Sequence, residues 1–121
     1  MTQIKIVNAY TVTDSLAAMN NLSISAKWVI YKLRKNLLPY RDFYVQESRK
    51  LLDKYKPTVQ GNTISFNKPE DAQSYQAEQK EIDSFDVDIS IQKQELKLSE
   101  IPDISIPQIE QLEDFINFMP E

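Results

Sequence analysis

The chain has 121 residues, a net charge of −4, a single Gly, and neither His nor Cys. Without thiols or imidazoles it has no thiolate nucleophile, no imidazole base and no Cys/His zinc site. One Gly cannot build a phosphate-cradling loop or a dinucleotide fingerprint, because both need several positions without a Cβ.

Taken in chain order, residues 2–8 (TQIKIVN) alternate and are rich in β-branched side chains, which predicts a short strand. A first helix is expected from about Val12 to Asn21. Thr11 and Asp14 open it in the manner of a capping box, and Val12, Leu16 and Met19 mark its buried side. The strongest helical pattern runs from about Ser25 to Lys56. Ile30, Leu33, Leu37, Tyr40, Tyr44 and Leu51 follow steps of three and four along one stripe, and Val29, Phe43, Leu52 and Tyr55 widen it. Unbroken, this element is about 45 Å long at 1.5 Å per residue. Pro39 falls in its middle and removes one backbone donor, so a kink near Leu37–Pro39, or two helices meeting there, is expected.

Pro57 ends that helix. Thr58 to Phe66 (TVQGNTISF) reads as a hairpin, with Gln60, Gly61 and Asn62 at the turn and the sole Gly where a positive φ is most needed. Asn67 is placed to cap a helix from near Lys68 to Ser84, whose first turn carries Glu70 and Asp71 at the positive end of the helix dipole. Asp86 to Leu98 alternates, with Val87, Ile89 and Ile91 on one face, and predicts a half-buried strand. Ser105 and Gln108 form a capping box around Pro107 for a last helix to about Phe118, with Ile109, Leu112, Phe115, Ile116 and Met119 as its apolar stripe. The sum is an α+β fold in one domain, residues 1–121: a long kinked helix and two or three others, packed with a small antiparallel sheet made of hairpin 58–66 and the strand near 87–97.

Charge is divided unevenly. Up to Pro57 there are ten Lys/Arg against four Asp/Glu, and from Thr58 on there are four against fourteen. Either the two halves pack together and their fields partly cancel, or one face is a docking surface of one sign. Met1 to Val12 lacks the apolar run of a signal peptide, and no apolar stretch approaches the roughly 18 to 20 residues that span a bilayer. A soluble, cytoplasmic protein with no membrane partner is the expectation.

Carboxylates are the one catalytic currency left. Asp86 and Asp88 fall on one face of the expected strand, with Glu81 and Asp83 upstream, and oxygen ligands alone suffice for magnesium. Alternating acids on an amphipathic strand are more often its solvated side, so no catalytic residue, metal or cofactor is assigned. Lys27, Lys32, Arg34, Lys35 and Arg41, then Arg49, Lys50, Lys54 and Lys56, are interleaved with Trp28, Tyr31, Tyr40, Phe43 and Tyr44. Bases among aromatics can track phosphates and stack nucleobases. The acidic total argues against a dedicated nucleic-acid binder, and a core stripe accounts for the aromatic spacing. The acidic second half has its own reading, a phosphate-backbone mimic that occupies the basic groove of a host nuclease or defence protein. Trp28 is either a core anchor or an exposed interface anchor. The candidate interface residues are Trp28, Tyr31, Arg34, Lys35, Tyr40, Arg41, Tyr44, Asp86 and Asp88.

Three segments also resemble a family of small uncharacterised phage- and prophage-encoded proteins of Gram-positive bacteria. SAKWVIYKLRKN (Ser25–Asn36) is similar to that family's alanine, aromatic and Lys-Asn helix. ESRKLLDKYKP (Glu47–Pro57) is similar to its acidic and basic run ending in a Lys-Tyr pair, and a hairpin with a Gly-Asn turn follows. Ser84–Ile116 resembles its closing strand, Leu-containing turn and capped C-terminal helix. Pro39 departs from the family pattern, which has a straight helix-former there. The resemblance transfers no active-site residue. It implies a phage origin and an accessory or assembly role inside the bacterial host. Together these observations lead to the expectation of a non-enzymatic protein that binds a phage or host protein partner. Complementary charge between copies makes a homo-oligomer part of that expectation.

Overall fold

The computed structural model describes residues 1–120 and has an α+β fold. Its elements in order are α1 (Gln3–Ala17), α2 (Ile24–Tyr55), β1 (Thr58–Gln60), β2 (Thr63–Ser65), α3 (Pro69–Ser84), β3 (Gln94–Lys97), a 3-10 turn (Leu98–Glu100), α4 (Ile106–Leu112) and β4 (Ile116–Met119).

The N-terminal segment is helix from Gln3 onward, not strand followed by a later helix. Its buried residues are Gln3, Ile6, Ala9, Tyr10, Thr13 and Leu16, a helical spacing in which two members are polar. Packing against α2 overrides the β propensity of Ile4, Ile6 and Val7. Gln3 is satisfied by donating to the Tyr40 carbonyl at 3.2 Å, and the Thr13 hydroxyl donates to the Tyr10 carbonyl. Thr11 is no cap. It sits inside the helix and its hydroxyl donates back to the Val7 carbonyl.

Pro39 does not divide the long helix: α2 runs through it as one element of 32 residues. Pro39 and Lys35 are both exposed, so the carbonyl that loses its i+4 partner lies on the solvent side. Ser23 caps the start by accepting from the Ala26 amide at 3.0 Å. Lys56, in the left-handed conformation (φ 45°), ends the helix, and Pro57 follows it.

The hairpin forms with Val59 opposite Ile64. Of its two turn residues only Gly61 has positive φ, the signature of a type II′ turn. Lys68 rather than Asn67 occupies the N-cap position of α3, with Pro69 in its first turn.

The sheet differs most from expectation. The hairpin is a separate two-stranded sheet, and β3 pairs in parallel with β4, not with the hairpin. The expected strand from Asp86 reduces to a bridge between Thr2 and Asp86, irregular chain, and then β3. Val87, Ile89 and Ile91 nevertheless alternate inward and pack on the core. The last helix keeps its capping box between Ser105 and Gln108 but stops at Leu112. Phe115 and Ile116 are consecutive and both buried, and Ile116–Met119 pairs as strand.

The core lies between α1, the first half of α2 and residues 96–116, centred on Ile6, Leu16, Ile30, Leu37, Leu96, Ile101, Leu112 and Ile116. Beyond Leu37, α2 buries only Leu51, and α3 buries no residue. The second half of α2 and α3 thus form an antiparallel arm that extends from the core and ends in the hairpin.

Candidate functional site

Helix α2 carries two apolar stripes. Ala26, Val29, Ile30, Leu33 and Leu37 face the core. Ile24, Trp28 and Tyr31, separated by four and three positions, lie on the opposite side and are 81%, 58% and 55% exposed. The rings of Trp28 and Tyr31 stack at 5.7 Å with 22° between their planes. The Lys32 ammonium sits 5.8 Å from the Trp28 ring, and Lys27 and Lys35 are exposed alongside. Beside Tyr31 a dip of about 200 Å³ opens between the end of α1 and α2, lined by Ala17, Leu22, Lys27, Ile30, Tyr31 and Arg34. This is an aromatic ridge with a basic border.

The structure brings Trp28, Tyr31 and Lys35 together on that ridge and disperses the other candidates. Arg34 and Arg41 are turned to α1. The Arg34 guanidinium lies 4.9 Å over the Tyr10 ring, donates to Asp14 at 2.5 Å and to the Thr13 hydroxyl at 3.2 Å. Arg41 reaches the same ring from 5.7 Å and pairs with Asp42. Both fasten α1 to α2. Tyr40 is half-buried against the core. Asp86 pairs with the Met1 ammonium at 3.2 Å, and Asp88 is exposed on irregular chain rather than sharing a strand face with it. Among the described residues no group of three or more acidic side chains is arranged to hold a metal ion, and no helix is long and apolar enough to cross a membrane.

Tyr44 belongs to the arm. Its hydroxyl donates to Asp83 at 2.7 Å, while the Gln79 amide donates to Tyr44, Asp83 and Ser48. Burial, and then the neighbouring Asp83 carboxylate, push the Tyr44 phenol up to about 12. Further along, Glu78 accepts from Tyr55 and from Lys54, and these donors hold its carboxyl below the ordinary range. Polar bonds thus join α2 to α3 beside the edge-on contact of the Tyr55 and Tyr75 rings at 6.2 Å.

Two features escaped sequence reasoning. Ile24 extends the Trp28–Tyr31 stripe, a spacing visible in the sequence but masked by the longer core stripe beside it. Phe43, assigned above to the buried side, is 47% exposed, and Phe85 is 57% exposed. With Leu51 and Ile82 they line an open groove of about 270 Å³ between α2 and α3, bordered by Glu47, Glu78 and Glu81.

In comparison with known proteins, no family model, no curated protein and no solved structure matches this chain.

Proposed function

We propose that this is a non-enzymatic binding protein whose contact surface is the ridge of Ile24, Trp28 and Tyr31 bordered by Lys27, Lys32 and Lys35. One observation carries the reading: a stacked Trp–Tyr pair stands outside the core on a helix that already has a complete buried face. Aromatic side chains exposed beside cations are the usual anchors of protein interfaces, where burial of the rings supplies affinity and the charges orient the approach. Resemblance to phage-encoded proteins supports an accessory role in the cytoplasm of a bacterial host, in virion assembly or in handling a host protein.

A second reading is favoured by the same exposure. Stacked rings flanked by lysines are also what a single-stranded nucleic acid requires. The chain-wide acidity opposes it at long range.

The test is affinity capture from phage-infected cells, using the native chain and the double variant Trp28→Ala, Tyr31→Ala as baits, with and without nuclease. A discrete protein retained by the native bait, lost with the variant and indifferent to nuclease supports the first reading. Loss on nuclease treatment selects the second. Identical capture by both baits rejects the ridge.

A further inference from the structure

The groove on the arm has the shape and charge that the ridge lacks. Its floor is apolar (Phe43, Leu51, Ile82, Phe85), and among the described residues the ionised groups that line it are Glu47, Glu78 and Glu81. Its volume of about 270 Å³ falls below the roughly 300–1,000 Å³ of ligand pockets, and its open form suits side chains from another surface. Lys27, Lys32 and Lys35 on the ridge make no ion pair among the described residues, and neither does Glu81 in the groove. Glu47 and Glu78 each have one lysine partner, Lys50 and Lys54, both outside the groove lining.

We infer that the groove of one copy receives the Trp28–Tyr31 ridge of a second copy. Charge selects this arrangement over contacts of like surfaces. Groove against groove sets carboxylates on carboxylates, and ridge against ridge sets lysines on lysines; ridge in groove pairs opposite signs around an apolar centre. Dimensions agree. Ile24 to Lys35 spans about 16 Å of helix and Phe43 to Leu51 about 12 Å, at 1.5 Å per residue. Ridge and groove share one continuous helix, so a copy cannot bend to fill its own groove. The contact therefore lies between copies: made reciprocally it closes a two-fold dimer, and made one way it builds a ring if the rotation closes or a filament if it does not. This inference rests on the ridge being a binding surface and names its partner as the same chain.

The full chain is followed by sedimentation velocity over rising concentration at low and high salt, with Trp28 emission recorded on the same samples. Trp28 is the sole tryptophan, so its emission reports the ridge alone. Expected are species larger than a monomer, a blue shift of Trp28 emission as they form, and dissociation in high salt. Trp28→Ala and Phe85→Ala each weaken association about tenfold or more. Replacing Lys27, Lys32 and Lys35 by Glu abolishes it, as does replacing Glu47 and Glu81 by Lys, and mixing the two charge variants restores it. Glu78 is left intact because it holds Tyr55 and Lys54. Circular dichroism establishes that each variant is folded. A monomer at every concentration in low salt overturns the inference, as does association with unshifted Trp28 emission or indifference to both single substitutions. A monomer that still captures a protein through its ridge overturns this inference alone and leaves the proposed function standing.

Discussion

The hydroxyl of Tyr44 on α2 donates to the carboxylate of Asp83 on α3 at 2.7 Å, and the amide of Gln79 donates to both. With no buried residue on α3, this network, the Tyr55–Glu78–Lys54 group and the edge-on contact of the Tyr55 and Tyr75 rings join the two helices. Tyr44→Phe removes the shared hydroxyl and leaves Asp83 with Gln79. A loss of about 1 kcal/mol is expected for a hydrogen bond of this kind. Urea unfolding measures it, and amide exchange locates it, with α3 opening before α1.

Alkaline pH gives the same network a distinct signature. The Tyr44 phenol ionises near 10.0 when unfolded and only at about 12 when folded. Retaining the proton contributes stability that is fully present below pH 10 and is lost as the pH rises towards 12, because the unfolded chain then binds fewer protons. The five other tyrosines titrate as well, so the comparison is with Tyr44→Phe. The stability gap between wild type and variant shrinks across that window. A gap that stays constant contradicts the assignment.

Acid acts on the other group with the opposite sign. Glu78 is held below its ordinary 4.5, chiefly by the Lys54 hydrogen bond and then by that of Tyr55. Its contribution is present above the unfolded value and is lost as the pH falls through the lowered folded value. Glu78→Gln is therefore expected to lose less stability than wild type on acidification, as read from urea midpoints between neutral and acid pH.

Core and arm respond differently to truncation. Leu37 is fully buried, and Leu37→Ala is expected to cost about 2–5 kcal/mol. Ile64 lies on a hairpin with no buried residue, and Ile64→Ala is expected to stay within about 0.5 kcal/mol. Gly61→Ala meets no atom within 4 Å, but φ there is +58°. Its effect is the opening of the hairpin, seen as loss of the Val59–Ile64 cross-strand contact by NMR, while the core melts at its original temperature.

Local chemistry made part of this fold legible in the sequence. Pro57, Gly61, the Ser105–Gln108 box and the Leu33–Leu37 stripe each act within a few residues, and each element they specify is present. What escaped depends on partners distant in the chain. The helical spacing of α1 becomes clear only when Gln3 and Thr13 count as buried, and the burial of Gln3 requires the distant Tyr40 carbonyl that satisfies it. The parallel pairing of β3 with β4 joins segments separated by the 3-10 turn and α4, and short apolar runs such as Phe115–Met119 fit helix and strand alike. At the candidate site, Trp28, Tyr31 and Lys35 share a face as their spacing implies. The roles of Arg34 and Arg41 follow from Tyr10 on another helix, which no spacing within α2 reveals.

The ridge itself is the central claim, and photo-crosslinking in cells addresses it most directly. A photoreactive amino acid is placed at Tyr31 on the ridge or at Glu110, an exposed site on α4. The expected result is a discrete adduct from position 31 that is absent from position 110 and disappears when Trp28→Ala is added, while the melting temperature is unchanged. Equal labelling from both positions, or an adduct insensitive to Trp28→Ala, would contradict a docking role for this face.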